Sequence, residues 1–358
     1  MTSGLLLVTG GAGFIGSTVV EAARAAGWRI RVLDSLRADV HSTSHPEHAE
    51  ALVGVELVQG DVRDEAAVRR ALIGVDAVCH QAAKVGLGVG IHDAPDYVSS
   101  NSLGTAVLLA AMAEKGIERL VLASSMVVYG EGLYLDGDRP VQPPPRRRAD
   151  LEAGRFDPIS PRTGEPLRAI SIGEDQPCDP RNVYAATKLE QELLARTWVQ
   201  GGGRAAMLRY HNVYGPLMPQ GTPYAGVASL FRSALERGES PRVFEDGRQR
   251  RDFIHVADVA RANIAALDWT GTAAPETARA FNVATGTPHS IGEFADGLAS
   301  AFGRGRPDRT GEFRMGDVRH ITASADRIEQ ELAWRAEVTF EEGVREFAHA
   351  PLRERVDG

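Results

Sequence analysis

Cysteine is almost missing from this sequence: its 358 residues hold two, Cys79 and Cys178. One pair at most excludes a disulfide framework, and no histidine cluster has zinc-ligand spacing, so neither crosslinks nor a metal is expected. A reducing, cytoplasmic setting fits that usage. Long apolar runs are also missing, and with them any expected membrane span. Met1 to Gly4 lead straight into a short apolar strand, without the basic region or cleavage site of a signal peptide. Basic charge is not in excess either. The 40 Lys and Arg against 48 Asp and Glu leave a formal charge of -8, which offers no general attraction to nucleic acid or an anionic membrane. Any phosphate recognition has to be local.

What remains is ordinary globular material, 43% hydrophobic and 25% charged, long enough for one large α/β unit with a smaller second lobe. Leu5 to Thr9, Ile30 to Asp34, Val55 to Gln59, Asp76 to His80 and Leu120 to Ser124 read as strands, with helical patterns in most gaps. Alternation of this kind predicts a parallel sheet with helices on both faces, because parallel neighbours need a crossover connection. The fold class is therefore doubly wound α/β. Ligands in such sheets bind beyond the carboxyl ends of the strands. Between Gly130 and Asp179 the pattern breaks into Pro, Arg, Gly and Asp. That stretch, centred on about 133–172, reads as an irregular, solvated insertion. Residues 1–211 are expected to form the dinucleotide-binding domain and 212–358 a second lobe partly interleaved with it.

Directly after the first strand stands Thr9-Gly10-Gly11-Ala12-Gly13-Phe14-Ile15-Gly16, which opens a helix. Glycines permit a tight turn and bring backbone N–H groups close to a pyrophosphate at the helix N-terminus. Gly10, Gly13, Phe14, Ile15 and Gly16 are thus candidate cofactor residues. Asp34 ends the next strand, where a carboxylate binds an adenosine 2′-hydroxyl and repels a 2′-phosphate; this selects NAD over NADP. Two further strand ends suit the same ligand: Asp61-Val62 toward the adenine, and Gln81-Ala82-Ala83-Lys84 toward the nicotinamide half, with Lys84 reaching a ribose or phosphate.

Tyr184 and Lys188 stand four residues apart at the start of a helical pattern, hence on one face. A nearby cation favours the phenolate and lowers its pKa, which makes Tyr184 an acid/base candidate. Ser125, just past the fifth strand, adds a hydroxyl to hold a substrate oxygen.

Together, the glycine run, Asp34, Asp61, Ser125, Tyr184 and Lys188 resemble the extended short-chain dehydrogenases/reductases, in particular their nucleotide-sugar epimerases and dehydratases. The similarity continues in Leu208 to Pro216, Arg251 to Asp258 and Phe281 to Gly286. It implies that Asn101 and Lys84 touch NAD, that Asn212 lies near a sugar diphosphate, and that Arg251 and Arg314 bind phosphate. Asp317 would take a nucleotide ribose, and Ile321, four residues on, would border the sugar. The stretch from Ser125 to Tyr184 is longer than in the family's typical epimerases. Where related dehydratases carry an Asp-Glu pair, this chain has Met126 and Val127, which can serve as neither acid nor base. The resemblance therefore implies C4 epimerisation of a UDP-hexose or dTDP-6-deoxyhexose through a transient 4-keto sugar, by a homodimer. A nucleotide-sugar dehydrogenase or ketoreductase and a non-catalytic NAD-binding regulator are the alternatives.

Overall fold

The computed structural model describes residues 4–37, 52–86, 90–220 and 226–353. β1 (Leu5–Thr9) is followed by α1 (Phe14–Ala25), β2 (Arg29–Asp34), β3 (Glu56–Gln59), α2 (Glu65–Ala71) and β4 (Ala77–His80). A long helical segment, α3, then runs through Ala94–Tyr97, a wider π-type turn at Val98–Leu103, and Gly104–Glu114. β5 (Arg119–Ser125) closes the first half. Past the insertion come α4 (Val183–Trp198), β6 (Arg204–Tyr210) and β7 (Asn212–Tyr214). These five N-terminal strands match the five apolar runs of the sequence to within one residue at either end.

Seven strands form one parallel sheet in the order Thr277–Val283, β6, β5, β4, β1, β2, β3. β1, β4 and β5 are almost wholly buried, as a sheet covered on both faces requires. The strand order reverses between β1 and β4, and the crevice outside their carboxyl ends is where a doubly wound sheet binds its ligand. The chain crosses between lobes more than once: Thr277–Val283 lies at the sheet edge, and helix Val256–Thr272 packs on the sheet. A separate aromatic core of Tyr214, Phe231, Phe253, Phe294 and Phe347 builds the second lobe.

The insertion is neither irregular nor merely solvated. Leu133–Asp136, Arg139–Val141 and Arg168–Ile170 pair into a small antiparallel sheet. At its base, a Cβ on Gly130 would stand 2.1 Å from the Asp179 carbonyl oxygen. This closes the loop on itself. Two of its charges tie it to the rest of the fold: Arg146 pairs with buried Glu245 at 2.8 Å, and Asp157 meets the fully buried Arg319 at 2.7 Å and His320 at 3.2 Å. Strands of three or four residues are too short to show alternation, and charges paired across the chain look like solvated ones in a linear reading.

Candidate active site

Gly10 has φ +68°, and a Cβ there would lie 2.7 Å from the Ala82 backbone. At Gly16 a Cβ would come within 2.1 Å of the Gly10 carbonyl oxygen. The loop is thus closed by backbone on both sides, and only glycine fits. Gly13 caps α1 without a side-chain hydrogen bond, so the first turn keeps the geometry of an anion cradle. Phe14 packs toward the second-lobe core and Ile15 toward the sheet. This arrangement fits a dinucleotide diphosphate.

Asp34 reaches into the same loop: its carboxylate accepts from Ala12 N–H at 3.0 Å and Leu36 N–H at 2.9 Å. The sequence suggests an exposed strand end, but the residue is 6% exposed. The loop folds back over it, so its carboxylate orders the turn. Asp61 is gripped by Arg63 at 2.6 Å, which holds its pKa below the usual carboxylate range. Val62 is buried against Gly104. Gln81 donates to Asn263 at 2.9 Å and accepts from the Tyr210 hydroxyl at 3.1 Å. Ala82 donates its N–H to Thr9 Oγ1 at 3.2 Å, and Ala83 follows half-buried. Lys84 Nζ is engaged with Asp96 and lies 5.3 Å above the Tyr97 ring. The buried Asn101 amide binds both backbone groups of Lys84, at 2.7 and 2.9 Å, and Thr187 Oγ1 at 2.9 Å. Its side chain acts as a fastener between the β4 end and α4.

Asn182 caps α4, accepting from Ala185 N–H at 2.8 Å. That sets Tyr184 in the first turn, with its phenol near enough to Ser125 for that hydroxyl to lower its pKa. Lys188 Nζ lies 6.0 Å from the Tyr184 ring centre and donates to the Ala123 carbonyl at 2.7 Å. The three residues are brought together, but their electrostatics reverse the expectation from spacing. Burial pushes Tyr184 up to about 12, against the Ser125 hydrogen bond, and pulls Lys188 down to about 7, against Glu192. Desolvation dominates both shifts, and a lysine that releases its proton near 7 carries no charge at the pH where the phenol titrates.

Asn212 Oδ1 is among the buried side-chain atoms with no hydrogen-bond partner. Arg251 donates to the carbonyls of Val318 (2.7 Å) and Arg319 (3.1 Å), and Asp317 lies within the fields of Arg251, Arg314 and Arg146. Arg314 covers the Phe244 ring at 4.7 Å. Ile321 is 1% exposed and packs with Met126, Leu133 and Ile172. Three contributors escaped the sequence reading. Arg146 of the insertion donates to the Asp317 carbonyl at 2.7 Å. Glu192 stands one turn beyond Lys188, a spacing that was available as a signal, and receives Arg209 at 2.9 and 2.7 Å and the Ser124 hydroxyl at 2.6 Å. Arg353 binds the glycine loop itself, and nothing in its neighbourhood of the sequence signals this.

The lowered Lys188 pKa has a consequence for stability. An unfolded chain holds this proton up to about 10.4, whereas the ligand-free fold releases it near 7. Between those values the unfolded state binds more protons, so Lys188 makes stability rise with pH. Urea titrations of ligand-free protein from pH 7 to 10 should show that rise, and Lys188→Met should flatten it. Equal slopes in the two proteins would contradict a desolvated ammonium.

Comparison with known proteins agrees with this geometry. The chain is 36% identical to a dTDP-L-rhamnose 4-epimerase of Burkholderia thailandensis, over 96% of this chain and 93% of that one. Its fold is similar to a UDP-glucose 4-epimerase of Thermus thermophilus in complex with NAD: TM-score 0.75, 30% identity, 96% and 97% of the two chains. A dTDP-glucose 4,6-dehydratase of Streptomyces venezuelae, with NAD bound, is similar at TM-score 0.73 and 26% identity, over 96% and 95%. Residues 6–284 match the family described as NAD dependent epimerase/dehydratase, and the chain belongs to that family.

Proposed function

We propose that this protein inverts C4 of a nucleotide-sugar by transient oxidation to the 4-keto sugar and reduction from the opposite face. The observation that carries this reading is the Ser125, Tyr184 and Lys188 group followed by Met126 and Val127. Met126 is buried in an apolar cluster with Leu133 and Ile321. Water elimination needs an acid and a base beyond Tyr184, and these two side chains offer neither. NAD, when bound, supplies the hydride acceptor and donor, and its positive ring favours the phenolate that burial disfavours. Tyr184 takes the C4 hydroxyl proton, Ser125 holds that oxygen, and Tyr184 returns the proton after the sugar turns over. Lys188 orients the group from the Ala123 carbonyl and, in its protonated form, adds positive charge beside it.

In this reading residues 1–211 carry the cofactor, through the glycine loop, Asp34, Asp61 and the 81–84 strand end. Residues 212–358 carry the nucleotide-sugar. Asn212, Arg251, Arg314 and Asp317 would hold its diphosphate and ribose, since the planar Arg fork makes paired bonds to phosphate. Anchoring the nucleotide leaves the sugar free to swing. The relatives named above support two substrate pairs, UDP-hexoses and dTDP-6-deoxyhexoses. The test is a panel of both, incubated with enzyme and read by NMR for a C4 epimer. Tyr184→Phe should lower turnover about 10²- to 10⁴-fold and leave nucleotide affinity nearly intact. A 4-keto-6-deoxy product, or wild-type turnover in the variant, would contradict the reading.

We also infer a homodimer. Val98 and Leu103 on α3 and Leu193 on α4 are 45%, 51% and 54% exposed, an apolar face suited to pairing these helices with a second copy. Light scattering should give twice the chain mass at micromolar concentration, and Leu103→Glu with Leu193→Glu should halve it. A monomeric wild type would refute the dimer. A cytoplasmic location suits the free thiols of Cys79 and Cys178; recovery from a non-cytoplasmic fraction would refute it.

A further inference from the structure

We infer that Arg353 is a positioning residue of the dinucleotide loop, and that it couples cofactor retention to the substrate-side segment 217–220. Its side chain is 7% exposed. Nη1 donates to the Ala12 carbonyl at 2.6 Å, and Nη2 to the Gly13 carbonyl and to Ser17 Oγ, both at 3.0 Å. All three acceptors belong to the glycine loop and the first turn of α1. A trans peptide points its C=O and N–H in opposite directions. The Gly13 carbonyl also takes the first helical bond of α1, from Ser17 N–H at 2.9 Å, so Arg353 reinforces an orientation that turns the Phe14 N–H to the other side, the side on which α1 would receive a diphosphate. The guanidinium also places a buried positive charge behind that loop, where it favours an anion in front. A lysine would keep the charge but has no planar fork to span two carbonyls and a hydroxyl.

The backbone of the same residue is tied elsewhere. Arg353 N–H donates to the Met218 carbonyl at 3.2 Å, Gln220 N–H to the Arg353 carbonyl at 3.0 Å, and Leu217 N–H to the Pro351 carbonyl at 2.8 Å. Segment 217–220 continues directly from β7, which begins at Asn212. It also receives the Ser229 hydroxyl on the Pro219 carbonyl. One residue thus joins the cofactor cradle through its side chain and the nucleotide-sugar lobe through its main chain. A nucleotide that settles segment 217–220 settles the glycine loop with it.

This inference rests on the assignment of the glycine loop to NAD and of Asn212 to the nucleotide-sugar. The experiment measures the dissociation constant of NAD by calorimetry, alone and with saturating UDP or dTDP, for wild type, Arg353→Met and Arg353→Lys. Circular dichroism and melting temperature serve as controls of folding. In wild type, UDP or dTDP should tighten NAD by about fivefold or more, the lower range of such couplings. Arg353→Met should weaken NAD about 10- to 100-fold, the worth of bonds made by a charged donor, and abolish the effect of the diphosphate. Arg353→Lys, the gentler change, should stay folded, bind NAD at intermediate strength and still lose the coupling. NAD affinity unchanged in both variants would overturn the inference, as would weakened affinity with wild-type coupling, the signature of a merely structural arginine. A wild type that binds NAD without any response to UDP or dTDP would overturn the coupling. A wild type that binds no NAD would overturn the loop assignment with it.

Discussion

The buried ion pair between Glu192 and Arg209 sets the geometry on which the site depends. Glu192 lies on α4, one turn past Lys188 and two past Tyr184; Arg209 lies near the end of β6, and Ser124, whose hydroxyl also binds Glu192, precedes Ser125 on β5. Both charges are almost wholly buried, so a helix shifted by one turn would strand them. Removing one partner of such a pair costs about 3–5 kcal/mol. Such a pair adds little net stability over an apolar contact, and its use here is register. With α4 fixed against two strands, the phenol and ammonium have one place to be. Arg209 extends the constraint to the Tyr129 hydroxyl at 2.9 Å, which in turn donates to Asn282 at 2.7 Å on the sheet-edge strand.

Register brings burial with it, and burial sets the chemistry. In the ligand-free protein Tyr184 favours its neutral phenol, and Lys188 shares its proton with solvent near neutrality. Such a pair holds its proton ready to move and carries little fixed charge of its own. Neighbouring groups follow the same rule. His80, between Thr9 and Thr105 at 2.6 and 2.9 Å, is held neutral by burial, its pKa drawn down to about 3.

The sequence made the parallel strands and the local motifs legible because their signals are short-range. Gly10 to Gly16 with Asp34 form one turn and the neighbouring strand end, and Tyr184 with Lys188 form one turn of helix. What it concealed is what depends on contacts between distant segments. Arg353 meets Ala12 across almost the whole chain. Arg209 meets Glu192 only because β6 lies beside β5. The insertion looked solvated because its ion pairs join Arg146 and Asp157 to Glu245 and Arg319, residues with no periodic relation to it. The burial of Ile321 comes from Met126, Leu133 and Ile172, which lie far from it along the chain. Asp34 reads as a plain strand end in the linear sequence, and its burial under the glycine loop is a property of the turn and not of the strand.

The most direct test of C4 oxidation uses a nucleotide-sugar substrate carrying deuterium at C4, incubated to equilibrium in ordinary water and analysed by NMR and mass spectrometry. Transfer of that hydrogen as hydride and its return within one turnover predict that both C4 epimers keep the deuterium in full. Replacement of the label by solvent hydrogen would mean inversion by proton exchange, and would contradict the account.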